Sequence, residues 1–159
     1  MMKVPPVLRA SYDAQRERNE RLRARVQDIV SDLKPTPWHY EDRIKSLESF
    51  ALKIESGNPR DATALEDFFG CTLVVRNATE IPQAENLISG HFEIEERRPR
   101  NPSETHKTPE EFPFDDLRLY CRLRRSEALP ATGLEDLKFE IQIKTFLQHA
   151  WSIATHDLI

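Results

Sequence analysis

The sequence predicts an α+β domain: a mixed β-sheet with helices packed on its apolar face and N-terminal helices ahead of the sheet. Three observations lead there. The N-terminal third carries apolar residues at helical spacing, two later segments alternate strictly between apolar and polar residues, and a short apolar run followed by a helix lies between them. Helices that precede strands interleaved with a further helix call for a sheet covered on one side.

Residues 13–33 place Leu22, Val26, Ile29, Val30 and Leu33 on one helical stripe, with charges on the remaining positions. Asp13, Glu17, Glu20 and Asp28 are interleaved with the arginines of this segment, which reads as a salt-bridged, solvated face rather than a nucleic-acid surface. Lys34-Pro35-Thr36-Pro37 breaks the helix, and a second helix is expected over 38–56, stopped by Gly57. Residues 71–75 are apolar and β-branched, fit for a buried strand, and Thr79 is expected to cap a helix ending near Gly90, with Pro82 in its first turn. Residues 91–97 fit a strand. The segment 98–113, with Pro99, Pro102, Pro109 and Pro113, reads as a loop long enough to be functional.

Two alternating strands follow. In 116–124, Leu117, Leu119, Cys121 and Leu123 oppose Arg118, Tyr120, Arg122 and Arg124. In 137–144, Leu137, Phe139, Ile141 and Ile143 oppose Lys138, Glu140, Gln142 and Lys144, and residues 145–159 are helical. If the two strands are neighbours, their polar residues form an exposed cationic face with Glu140 set into it.

Composition narrows the function. A chain of 159 residues with 38% hydrophobic residues builds one core. Its four glycines, Gly57, Gly70, Gly90 and Gly133, are too scattered for a dinucleotide fingerprint or a P-loop, so side chains must hold any phosphate. Lys+Arg 23 against Asp+Glu 27 gives a net charge of -4, which does not favour whole-protein attraction to nucleic acid or an anionic membrane. The opening MMKVPPVLRA lacks the apolar region of a secretory signal and no long apolar span follows, so a cytoplasmic protein is expected. Cys71 and Cys121, inside apolar runs, are expected as buried free thiols.

Three groups of residues carry chemistry. The last is Glu140-Ile141-Gln142-Ile143-Lys144-Thr145, followed by Gln148-His149-Ala150-Trp151 and His156-Asp157; upstream lie Arg43-Ile44-Lys45-Ser46 with Lys53, and Asp67-Phe68-Phe69-Gly70. In this order they resemble the E-x-Q-I-R-T and Q-H-A-W, R-I-K-S and D-x-x-G motifs of the RelA/SpoT nucleotidyltransferase family. The resemblance divides the chain into an N-terminal helix and linker, 1–37, and a synthetase domain, 38–159, which stops inside a predicted helix as a domain truncated at its C-terminus would. It implies a nucleotidyltransferase-like fold and an ATP-dependent pyrophosphokinase that moves the β,γ-diphosphate of ATP to the 3′-hydroxyl of a guanosine nucleotide, an alarmone synthesis.

The same resemblance implies the residue roles. Asp67 and Glu140 are the expected catalytic carboxylates and Mg²⁺ ligands, Arg43, Lys45, Ser46, Lys53 and Lys144 the expected ATP-phosphate contacts, and Phe114, Arg118, Gln142 and His149 the expected acceptor contacts. The residue types suit the reaction independently, because pyrophosphoryl transfer needs cations on a polyphosphate, hard oxygen ligands for a divalent ion and a base for the attacking hydroxyl. On the expected second helix Ser46, Ser49 and Lys53 share a stripe flanked by Arg43 and Lys45, a basic face for phosphates. The pair His156-Asp157 does not signal an HD-type hydrolase, which needs further metal-ligating histidines.

Departures from the family pattern leave the acceptor open. Thr72 stands where the family has an arginine, the G-Y-x-S-x-H segment becomes Phe114, Asp116 and Arg118, and Lys144 replaces an arginine, keeping charge but losing the bidentate fork. A guanosine nucleotide is the leading acceptor. An adenosine nucleotide or the 3′ end of tRNA is the alternative, for which Arg118, Arg122 and Arg124 along one strand suit a larger anion. A non-catalytic nucleotide-binding regulatory module is the third reading. The implied partners are ATP, the acceptor and, as an open possibility, a second copy of the chain, with no membrane.

Overall fold

Residues Pro6–Leu33 form one continuous helix, α1, in the computed structural model of the chain, which describes residues 3–57, 67–100 and 116–156. Its stripe of Leu22, Val26 and Val30 is buried, while Arg16 with Glu20 and Arg21 with Glu17 form the expected ion pairs on its outer face. The helix begins seven residues before the expected start at Asp13, with proline in its first turn, where a missing N–H costs nothing.

The second helix expected over 38–56 is not one element. His39–Ile44 is a strand, β1, and only Leu47–Glu55 is helical, α2, with Ser46 as its N-cap accepting a hydrogen bond from Ser49 N at 3.2 Å. Alternation is present in β1, since Tyr40 and Ile44 turn inward while His39, Glu41 and Arg43 are exposed. It is masked by Asp42, a charged residue on the inward face. That carboxylate is held by Arg23 Nε from α1 at 2.8 Å and by the Tyr40 hydroxyl at 3.1 Å, partners that the local sequence does not contain.

The remaining elements are β2 (Phe69–Val75), a short 3₁₀ turn at Ala78–Glu80, α3 (Ile81–His91), β3 (Phe92–Arg98), β4 (Leu117–Leu123), β5 (Phe139–Thr145) and α4 (Phe146–His156). Asn77, rather than Thr79, supplies the cap ahead of α3, accepting from Thr79 N at 3.1 Å. The sheet order is β1-β2-β5-β4-β3. Among the described strands only the β2–β5 pair is parallel; β1–β2, β5–β4 and β4–β3 are antiparallel. β5, the last of the described strands, therefore lies at the centre of the sheet.

The core lies on one face. Phe69, Leu73, Val75, Leu119, Cys121, Phe139, Ile141 and Ile143 pack with Leu22, Val26 and Val30 of α1 and with Ala84 and Ile88 of α3. A small aromatic cluster, Tyr12, Phe50 and Phe68, ties α2 to the start of α1, and the Tyr12 hydroxyl donates to the Lys45 carbonyl at 2.8 Å. The N-terminal helix thus contributes to the same core as the strands. Cys71 and Cys121 are buried free thiols; burial, above all, raises both pKa values, that of Cys121 to about 12. Among the described residues no helix is long and apolar enough to cross a membrane.

Candidate active site

The strand registers bring the face away from the core into rows. One row across the sheet reads Arg43, Gly70, Glu140, Tyr120 and Glu96; the next reads Glu41, Thr72, Gln142, Arg118 and Arg98. Gly70 and Thr72 are the smallest side chains in their rows, so the sheet dips over β2 between the longer residues of β1 and β5. The result is a hollow of about 120 Å³ lined by Glu41, Asp42 and Arg43 of β1, Gly70, Cys71 and Thr72 of β2, and Glu140 and Gln142 of β5.

This face is less exposed than its charges suggest. Glu140 and Lys144, expected in solvent, are 7% and 9% exposed. Both are satisfied, as buried charge must be: Lys144 Nζ lies 3.3 Å from Asp116 Oδ2, and Glu140 Oε1 accepts from Gln142 Nε2 at 2.5 Å. Tyr120, itself buried, pairs with Glu140 across the β4–β5 ladder. Burial raises the pKa of its phenol, and the charge of Glu140 and a hydrogen bond to it add to the rise. The Arg98 guanidinium caps the Tyr120 ring, 4.8 Å from its centre.

The expected phosphate contacts divide. Arg43 lines the hollow from β1 rather than from a helix, while Lys45 and Ser46 lie in the link to α2 and Lys53 in its last turn. Lys53 donates to Asp67 Oδ1 at 2.7 Å and Lys45 lies 3.3 Å from Asp67 Oδ2. Burial raises the Asp67 pKa, but the Lys53 hydrogen bond and the charges of Lys45 and Lys53 override it, so the carboxyl sits below its ordinary value. Asp67 is thus engaged with two lysines outside the residues that line the hollow. Neither Arg43 nor Arg118 has a hydrogen-bond or ion-pair partner among the described residues, and both flank the Glu140–Gln142 pair.

The acceptor residues are also divided. Gln142 and Arg118 face each other in one row, whereas His149, in the second turn of α4, turns to the edge of the sheet, its Nε2 3.4 Å from Glu41 Oε1. Phe114, most of the loop expected over 98–113, and Asp157 lie outside the described residues. Of the arginines expected to suit a large anion, Arg122 is bound to Glu95 and the Asp136 carbonyl, and Arg124 to the Ser89 carbonyl. Glu41 and Tyr120 were not expected in the site; reading 39–44 as an alternating strand would have placed Glu41 beside Arg43. For Mg²⁺ the donor set is suitable, with hard carboxylate oxygens and Glu140 facing the hollow, while the oxygens of Asp67 are taken by lysines.

A family model described as "Region found in RelA / SpoT proteins" matches residues 42–159. The chain belongs to the RelA/SpoT family. Solved structures share this RelA/SpoT fold. Small alarmone synthetase 1 from Bacillus subtilis, bound to its product pppGpp, superimposes with a TM-score of 0.63 at 18% identity, covering 90% of this chain and 74% of that one. Small alarmone synthetase 2 from the same organism gives 0.59 at 18% identity over 92% and 75% of the two chains, and a GTP pyrophosphokinase family protein from Streptococcus pneumoniae gives 0.57 at 18% over 96% and 74%. A comparison with curated protein sequences returned no match.

Proposed function

We propose that this RelA/SpoT chain is an ATP-dependent pyrophosphokinase that transfers the β,γ-diphosphate of ATP to the 3′-hydroxyl of a guanosine nucleotide. The observation that carries the reading is the buried Glu140 carboxylate, oriented by Gln142 and Tyr120, at a hollow flanked by the cationic side chains of Arg43 and Arg118. The similarity to synthetases named for alarmone production, one of them bound to pppGpp, supports the same reaction class.

In the proposed step the acceptor 3′-oxygen bonds to the β-phosphorus of ATP while the bond from that phosphorus to the α,β-bridging oxygen breaks, releasing AMP. Glu140 takes the proton of the attacking hydroxyl. Arg43 offsets charge on the transferring group, and Arg118 holds the acceptor side. At about 120 Å³ the hollow is smaller than the 300 Å³ or more typical of whole-ligand sites, which suits the reacting phosphates rather than an entire nucleotide. Mg²⁺, held by Glu140 together with substrate phosphates, would supply further charge neutralisation. A polyphosphate that drew Lys45 and Lys53 away would free the oxygens of Asp67 for the same ion.

The test is label transfer from γ-labelled ATP with Mg²⁺ to GDP, GTP, ADP, ATP or bulk tRNA, with wild type and Glu140→Gln side by side. Labelled guanosine product from wild type, falling at least about 10²-fold in Glu140→Gln with an unchanged circular dichroism spectrum, is expected. Transfer only to tRNA or to adenosine nucleotides would replace the acceptor. Unchanged AMP release in Glu140→Gln would remove Glu140 from the mechanism.

A further inference from the structure

At the edge of the sheet the fold gathers three side chains that the phosphoryl chemistry does not use together. His39 and Glu41 are two residues apart on β1 and so point to the same side. His149, from α4, reaches the same place. His39 Nε2 is 3.4 Å from Glu41 Oε2, His149 Nε2 is 3.4 Å from Glu41 Oε1, and one ligand atom from each of the three lies within 4.8 Å of the others. The geometry points to a binding site for a divalent transition metal of the Zn²⁺ type, formed by His39, Glu41 and His149.

Ligand chemistry separates this site from that of Glu140. Two imidazole nitrogens and one carboxylate suit Zn²⁺, Co²⁺ or Ni²⁺, whereas Mg²⁺ prefers oxygen ligands. Spacing agrees. Tetrahedral ligands held at about 2.0–2.1 Å from zinc stand about 3.3 Å from one another; each histidine nitrogen lies 3.4 Å from one oxygen of the Glu41 carboxylate, His39 from Oε2 and His149 from Oε1, and a set with one atom from each residue fits within 4.8 Å. His39 and Glu41 are about half exposed and can turn to bring one carboxylate oxygen near both nitrogens, while His149 is 17% exposed. Its Nδ1 is buried without a hydrogen-bond partner, so Nε2, which faces Glu41, is the ring's polar anchor. Glu41 with two neutral imidazoles supplies one negative charge, and three protein ligands leave a coordination position for water.

Such an ion would join α4 to the edge strand, with ligands drawn from residues 39 and 149, and would sit beside the hollow that Glu41 also lines. The inference is independent of the proposed reaction, because it concerns binding alone. The competing account is that Glu41 accepts hydrogen bonds from two neutral histidines and no ion is involved.

The experiment titrates the chelator-treated full chain, without nucleotide, with Zn²⁺ by calorimetry and with Co²⁺ by visible absorption. One equivalent is expected to bind, with Co²⁺ showing d–d bands of nitrogen and oxygen ligation and no displacement by excess Mg²⁺. His39→Gln, Glu41→Gln and His149→Gln should each weaken binding by about tenfold or more with the circular dichroism spectrum retained. His39 is exposed, so its variant remains informative even if His149→Gln fails to fold. His91→Gln, on α3, should leave binding unchanged. Absence of stoichiometric binding, an equal loss in His91→Gln, or thiolate charge-transfer bands from Cys71 or Cys121 would overturn the proposal.

Discussion

Gly70 shapes the hollow by what it lacks. A Cβ built there would meet only the Glu140 carbonyl oxygen, at 3.8 Å, which is ordinary contact, so the backbone tolerates a side chain while the space above it does not stay open. Gly70→Val should therefore melt close to wild type but lose about 10²-fold in label transfer, since a displaced phosphate is out of line with its attacker. Asp67 makes a prediction about pH. Its native pKa lies below the ordinary 3.8, so the stability it contributes is complete above that value and is lost as pH falls through the lowered one. Wild type should exceed Asp67→Asn in melting temperature near neutrality, and the gap should close as the solution is acidified below about pH 4. A gap independent of pH would mean that the lysine contacts carry no charge-dependent stability.

At the scale of elements, α2 depends on its cap. Ser46 accepts from the Ser49 amide, and Ser46→Ala should cost about 1 kcal/mol in urea denaturation. The Ser46–Ser49 hydroxyl contact at 3.0 Å would be lost with it, so Ser46→Asn, which preserves the cap, is the matching control. The same region shows what was legible in the sequence. The strands β4 and β5 were visible because apolar residues hold one face without interruption, and α1 because its stripe is unbroken. In β1 the inward Asp42 is neutralised by Arg23, nineteen positions away on another element, and no local pattern announces that. The site was legible in residue types and partly in faces: alternation put Glu140 with Gln142, and Arg118, on the polar faces of their strands, and the pairing of β4 with β5 joins the two faces. Opposing Arg43 and Glu140 across Gly70 required the register of strands distant in sequence, and the burial of Glu140 and Lys144 required knowing that Gln142, Tyr120 and Asp116 would satisfy them.

Across the whole molecule, α1 is part of the core rather than an appendage. Leu22 has no exposed surface and packs in the main cluster, so Leu22→Ala should lose about 2–5 kcal/mol in denaturant unfolding. Removing residues 1–37 would uncover the apolar side of the sheet and should abolish the cooperative transition altogether. A truncated chain that unfolds cooperatively near the wild-type midpoint would show that α1 is dispensable. The central position of β5 has a consequence for how the protein is made. Before residues 139–145 leave the ribosome, β1 with β2 and β3 with β4 can form only two separate ribbons, each with an edge open to wrong pairing. The closing contact, Gly70 with Glu140, spans seventy positions of chain, the kind of long-range pairing that makes folding slow. A nascent chain therefore stays without its carboxylate at the hollow until residues 139–145 have been synthesised, and folding and acquisition of the site coincide in the arrival of one strand.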